Sequence, residues 1–486
     1  MRLLFYIFLF FLGISEGFAQ YIFQWDRYIG NDLSETASDI IQTYDGNFII
    51  LGQKKGYTDA LWLIKITAQG QNIWSKKYYG YPFIYPQRVI ETKDKGLLVV
   101  SEVKEKEHSN SNLWLLRLDA GGHKIWERLY TFNENIYPTC ALQTFDGNFV
   151  IGGYKKDSIN SDADWYILET DSIGFFIRDA QFGSPYEDKI YDVTQLPDSS
   201  LIFVGFTSYQ KGALRRAAFY RTDKNINDII YSEIKDYKWS EATTVIGTKD
   251  TSFVLALDYI PDTIGELNNI AVIKYDSLNI RLWKREIEKN AICYPRKIIN
   301  TFDDGYLLAY TIKYDGEFNY NAALIKFSPH GKIVWEKIFT RKSNDYVASV
   351  VEAKDNGIYV LATTYSKQNG WNFAIAKFKS LEYTRLRFLS PLKNILTVTI
   401  DTISIRGCIK SFKPPKHIDI YVNRDSVLRI TRFKKIDTLG CNYFFVAPVR
   451  LFYGENKIIF KLTDYKDYVF IKSLNVYFLP PPSIHW

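Results

Sequence analysis

Four cysteines, five histidines and a single methionine are spread thinly over 486 residues. The cysteines are too few for a disulfide scaffold in a chain of this length. Cys408 and Cys441 read either as a pair or as two buried thiols, whereas Cys140 and Cys293 lie too far apart in the repeat order described below to be expected to meet. No histidine pair stands at metal-ligand spacing and no Cys-x-x-Cys occurs, which leaves zinc without support. The chain also lacks an Asp-x-Asp-x-Asp-Gly run, a Gly-x-Ser-x-Gly elbow and a glycine-rich phosphate loop. No metal, cofactor or catalytic residue is therefore assigned. Long hydrophobic runs are missing as well. No stretch reaches the roughly 18 apolar residues of a spanning helix, so a transmembrane segment is disfavoured.

Aromatic residues, by contrast, are abundant. The 33 Phe, 36 Tyr and 11 Trp are far too many for a solvated, disordered chain, and with scarce Met they favour strands over helices. At the N-terminus, Met1-Arg2, the apolar run Leu3–Ile14 and the small residues Gly17 and Ala19 read as a secretory signal over residues 1–19, cut before Gln20. The mature chain is thus expected to be exported (secreted, periplasmic or on the cell surface), which argues against nucleic acid as a partner.

Three ladders organise the next 360 residues or so. Turns of Asp-Gly type begin at Asp45, Asp94, Asp146, Asp198, Asp250, Asp303 and Asp355, spaced 49 to 53 residues apart. A second ladder runs through Lys65, Arg117, Glu169, Arg221, Lys274, Lys326 and Lys377, and a third through Trp25, Trp74, Trp126, Ile177, Tyr231, Trp283 and Trp335. Each unit holds four short strand-like segments, which in the first are Ala37–Thr43, Asn47–Gly52, Ala60–Thr67 and Asn72–Tyr79. A four-stranded antiparallel unit repeated seven times is the pattern of a β-propeller, in which each unit buries its faces against its neighbours. The phase of the Trp ladder assigns Tyr21–Ile29 as the outer strand of the last blade. The predicted fold is all-β: a seven-bladed propeller over 20–380, then a small antiparallel β-sandwich over 381–479 and a Pro-rich tail over 480–486. The Lys/Arg ladder is expected to be solvated charge on an edge strand, and the Trp ladder to fill space between blades.

On these turns and Trp segments, the first 380 residues resemble secreted bacterial seven-bladed β-propellers, the superfold of WD-repeat and quinoprotein-type rings. Asp419-Ile420-Tyr421-Val422-Asn423 and Gly454-Glu455-Asn456-Lys457 make the C-terminal region similar to Ig-like domains of bacterial surface proteins. A fold alone does not specify a function.

The long loops between second and third strands are expected to crowd one face, where variable loops carry function. Nine residues before the turn Asp, four units place a tyrosine: Tyr85, Tyr137, Tyr294 and Tyr346. With Trp239 they read either as an aromatic collar at the channel mouth, with Arg88, Lys189, Arg296 and Lys297 close by to orient an anionic or hydroxyl-rich ligand, or as Tyr-Pro caps that start the inner strands and pack between blades. The expected function is non-enzymatic recognition of a protein or glycan. The alternative is an extracellular enzyme acting on a polysaccharide or lactone through acidic residues at the same mouth. The C-terminal region is basic, so an anionic surface polymer is a candidate second partner.

Overall fold

The computed structural model describes residues 21–479 apart from 31–33, 157–161, 211–213, 228–229, 262–266, 290, 340–342, 356, 367–369, 381–384, 391–394, 412–413, 424, 439–440 and 464–468. The expected signal segment and Pro-rich tail lie outside these residues. Among the described residues every regular element is a strand, and no helix is long and apolar enough to cross a membrane. The chain divides into two compact units, Phe23–Lys379 and a smaller one formed mostly by Ser380–Trp486.

The larger unit consists of repeated four-stranded antiparallel sheets, seven among the described residues. The first sheet runs Glu35–Gln42, Phe48–Lys54, Ala60–Ile66 and Asn72–Tyr78 in spatial order, each strand pairing with the next in sequence. The same order recurs through five further sheets. The last sheet takes its outer strand from the N-terminus: Tyr21–Ile29 pairs with Gly370–Ser380. The inner strand of each sheet packs against that of the next, and Asn344–Glu352 of the last packs against Glu35–Gln42 of the first. This closed cycle of sheets is a β-propeller, with no seam left open between its ends.

Apolar clusters fill the spaces between neighbouring sheets. One joins Phe48, Ile50 and Ile64 of the first sheet to Tyr359, Leu361 and Phe373 of the last. Four members of the Trp ladder dock on the glycine turn of the following sheet: Trp25 on Gly70, Trp74 on Gly122, Trp126 on Gly174 and Trp283 on Gly331. Gly174 has φ +79°, and a Cβ there would lie 2.5 Å from the Trp126 ring. Gly174→Ala is therefore expected to cost about 1–3 kcal/mol, read as a lower denaturation midpoint with an unchanged spectrum.

The Lys/Arg ladder departs from expectation. It lies on the third strand of each sheet, flanked on both sides, so it is not on an edge. Lys65, Arg117, Lys274, Lys326 and Lys377 are buried. They reach back to the Asp of the turn: Lys65–Asp45 at 2.7 Å, Arg117–Asp94 at 2.6 Å, Arg221–Asp198 at 2.6 Å, Lys274–Asp250 at 3.2 Å, Lys326–Asp303 at 2.7 Å and Lys377–Asp355 at 2.6 Å. Where Glu169 replaces the cation, Asn148 donates to it at 2.8 Å instead. Two ladders of opposite sign are thus one structural device, a pinned turn.

The smaller unit has a four-stranded and a five-stranded sheet that share one core, including Ile405, Phe445, Ile420 and Phe460. The strands Ile395–Val398 and Thr402–Lys410 follow each other in the chain but belong to different sheets. Ile395–Val398 pairs in parallel with Val469–Phe478, so the unit is not wholly antiparallel. Cys408 is disulfide-bonded, while Cys140 and Cys293 are free and buried. The Cys441 side chain lies outside the described residues.

Candidate functional site

Every inner strand of the larger unit carries one β-bulge, always at the same place in the repeat. The register skips Ser38, Gln87, Thr139, Tyr191, Thr243, Arg296 and Ala348. A bulge places two residues opposite one and re-aims a side chain, which is why bulges gather beside functional sites. All seven bulged residues line a single cavity of about 960 Å³. The cavity lies where the inner strands begin and the second strands end, the end of the sheets that carries the longer loops.

The residue after each bulge forms a second layer at the same level of the ring. Its members are Asp39, Arg88, Cys140, Asp192, Thr244, Lys297 and Ser349. Asp192 is nearly inaccessible, yet it faces Lys297 at 3.4 Å and Arg88 at 3.7 Å from two other sheets. It also accepts hydrogen bonds from the Thr244 hydroxyl at 2.8 Å and the Val245 amide at 3.2 Å. Burial alone would raise its pKa, but Lys297, Arg88 and these donors together hold it below the ordinary carboxylate value. Asp39, on a fourth sheet, accepts from its neighbouring amide Ile40 at 2.9 Å.

The upper wall is both aromatic and polar. Of the residues singled out from sequence, Tyr85, Tyr294, Tyr346, Trp239, Arg88 and Arg296 line the cavity. Tyr137, Lys189 and Lys297 are not among the lining residues. Tyr137 stacks on its cross-strand partner Tyr154 with ring centroids 4.8 Å apart, and Lys189 lies over the same Tyr154 ring and pairs with Glu187 at 2.6 Å. Of the cations expected to orient a ligand, Arg88, Lys189 and Lys297 are therefore committed to ion pairs inside the protein. Arg296, exposed to the cavity and stacked 5.9 Å from Tyr294, is the one for which the described residues provide no ion pair.

Two carboxyl groups belong to the same wall. Glu241 and Asp258 are directly opposite each other on neighbouring strands, which puts their Cβ atoms about 5 Å apart. Glu241 is anchored by Arg215 and by the Tyr191 hydroxyl, which donates at 2.9 Å. Asp258 accepts from Asn268 Nδ2 at 2.9 Å, and Asn268 is held in place by accepting the Cys293 amide at 2.6 Å. The other Asp258 oxygen, Oδ1, is buried without a hydrogen-bond partner. Burial, followed by the charge of Glu241, raises the Asp258 pKa, so this carboxyl keeps its proton far above the usual range. A proton-bearing acid beside a cavity is a hydrogen-bond donor as well as an acceptor. Sequence reading missed Asp258 and Asn268, because Asp258, inside the second strand, and Asn268, just before the third, belong to no ladder.

No protein-family model matches the chain, and no curated protein sequence matches it. Several solved structures are similar in fold. The β-propeller domain of the Trilobed protease from Pyrococcus furiosus is 11% identical, with 73% of this chain and 97% of that one covered and a TM-score of 0.45. A polysaccharide lyase, an ulvan lyase, is 10% identical over 73% and 98% of the two chains, with a TM-score of 0.47. The acylaminoacyl peptidase of Pyrococcus horikoshii is 10% identical over 77% and 58%, with a TM-score of 0.44. At these scores the propeller assignment rests on the closed cycle of sheets described above.

Proposed function

We propose that the chain is an exported recognition protein, a seven-bladed propeller that binds a glycan in the cup at its loop-rich end, followed by a basic Ig-like module. One observation carries the reading: every sheet contributes a bulged residue to one cavity of about 960 Å³, beneath a lip of Tyr85, Trp239, Tyr294 and Tyr346. Half of the lining residues are non-aromatic polar or charged side chains and only five are Ala, Val or Ile, so the wall offers few seats for apolar anchors. Aromatic faces next to polar groups suit a sugar ring, which has an apolar face and a hydroxylated edge. Export is supported by the Leu3–Ile14 run and by the disulfide at Cys408, a bond that persists in oxidising compartments. The surplus of Lys and Arg after residue 380 supports contact between that module and an anionic surface polymer.

A glycan array probed with the chain from Gln20 tests this reading. Trp239→Ala and Tyr294→Ala are each expected to lower captured signal more than about tenfold, as loss of a central aromatic anchor does. Undiminished binding by both folded variants rejects the cup. A second reading, an enzyme cleaving a polysaccharide, is favoured by the Glu241–Asp258 pair. Release of new reducing ends by the parent chain, lost in Asp258→Asn, would select it.

A further inference from the structure

Among the described residues, a track of aromatic rings leads out of the cup from Tyr294. From Tyr294 on the lip, ring centroids follow at 6.2 Å to Tyr320 and 4.8 Å from there to Tyr346, also on the lip. The track continues at 5.8 Å to Trp371 and 5.0 Å to Tyr365. It crosses from the sixth sheet to the seventh, linking an inner strand, a loop and the second and third strands beyond it.

These rings differ from those that hold the sheets together. Trp114, Trp165, Tyr310 and Tyr359 are fully buried, and their polar atoms are used inside the protein. None of the five track rings is buried, and Tyr365 is 36% exposed. Phe318, two residues before Tyr320, is 93% exposed, an apolar ring left in water beside the track. Arg296 lies over Tyr294, and Lys313 lies 5.4 Å from the Tyr320 ring. Neither has an ion-pair partner among the described residues. Asp315 and Glu317 occupy the same turn as Lys313, whereas the carboxyl that acts on Arg296, Asp258, keeps its proton at neutral pH, which leaves Arg296 as the cation that decides the sign of the ligand.

We infer that the track is a binding platform for an extended anionic polysaccharide, with one end in the cup, an acidic group at Arg296 and successive sugars stacked on Tyr294, Tyr320, Tyr346 and Trp371. The inference rests on the glycan reading of the cup and adds chain length, direction and charge to it. A guanidinium without an ion-pair partner binds carboxylate or sulfate through paired, charge-assisted hydrogen bonds, whereas the hydroxyls of a neutral sugar accept from it without bringing a counter-charge.

The test is calorimetric titration of the full chain with size-graded oligogalacturonates, alginate oligosaccharides and chondroitin sulfate oligosaccharides, with cello-oligosaccharides as the neutral set. Affinity for an anionic series is expected to rise with length. Tyr320→Ala and Trp371→Ala should each lower affinity for the long members roughly two- to tenfold while leaving the disaccharide unchanged. Arg296→Gln should weaken every anionic member and flatten its salt dependence. Tyr320→Leu and Trp371→Leu, which keep apolar bulk, stand in if the alanine variants melt early. Retained length dependence in the track variants overturns the inference, as does equal affinity of parent and Arg296→Gln for acidic sugars. Disaccharide binding without length dependence removes the track but leaves the cup. Binding of neither charge class removes both.

Discussion

Asp192→Ala is expected to destabilise the larger unit by about 3–5 kcal/mol, toward the lower end because Arg88 and Lys297 retain some access to solvent. The substitution leaves two cations facing each other inside the ring, and it strips the Thr244 hydroxyl and Val245 amide of their acceptor. The cost is mainly that of uncompensated charge, so it should shrink when Asp192→Ala is combined with Arg88→Met and Lys297→Met. Equal costs in the two backgrounds, measured by chemical denaturation, would show that the carboxylate does not act through these cations. The pH dependence has a definite sign. The folded pKa is depressed, so the stability from Asp192 is present above the ordinary carboxylate value and is lost as acid titrates the folded group.

The same residue shows why only part of the molecule is legible from its sequence. The Asp turns stand out because their chemistry is local: Thr43 donates to Asp45 and Thr92 to Asp94, each at 2.6 Å and two residues away. Turns of this kind fix the repeat and, with it, the four-stranded sheets. Asp192 and Lys297 are 105 residues apart, and only ring closure brings them together. The bulges are hidden for a different reason. One extra residue reverses the phase of the period-two alternation, but inner strands of 8 to 10 residues are too short for that reversal to stand out. The sole trace is a glycine on the opposing strand in some repeats, as at Gly205, where a Cβ would lie 1.8 Å from the Lys189 carbonyl oxygen. The Lys/Arg ladder misleads because a charged residue on a strand reads as solvent-facing until its turn partner is seen. Collar tyrosines are legible as a pattern, but the pattern does not separate Tyr85 in the cavity wall from Tyr137 beside Tyr154.

Asp258→Asn is expected to act in the opposite direction and to make the protein more stable at neutral and alkaline pH. The folded carboxyl is pushed up to about 8 by burial and by Glu241. An unfolded chain releases the same proton near its ordinary value of about 4. Between these limits the folded state binds more protons than the unfolded state, so stability falls as pH rises, by up to about 1.4 kcal/mol per pH unit. Asn removes that slope. Parent and variant should differ little near pH 4, and the variant's advantage should grow until the folded parent also ionises. A constant difference between pH 5 and pH 8 would mean that Asp258 does not hold its proton in the fold. A carboxyl that weakens the resting protein has a role if its proton is used on a ligand, through the unpartnered Oδ1 at the cavity. Glycan affinity of the parent should then decline as pH passes the folded pKa, while Asp258→Asn, which retains a donor, binds without that decline.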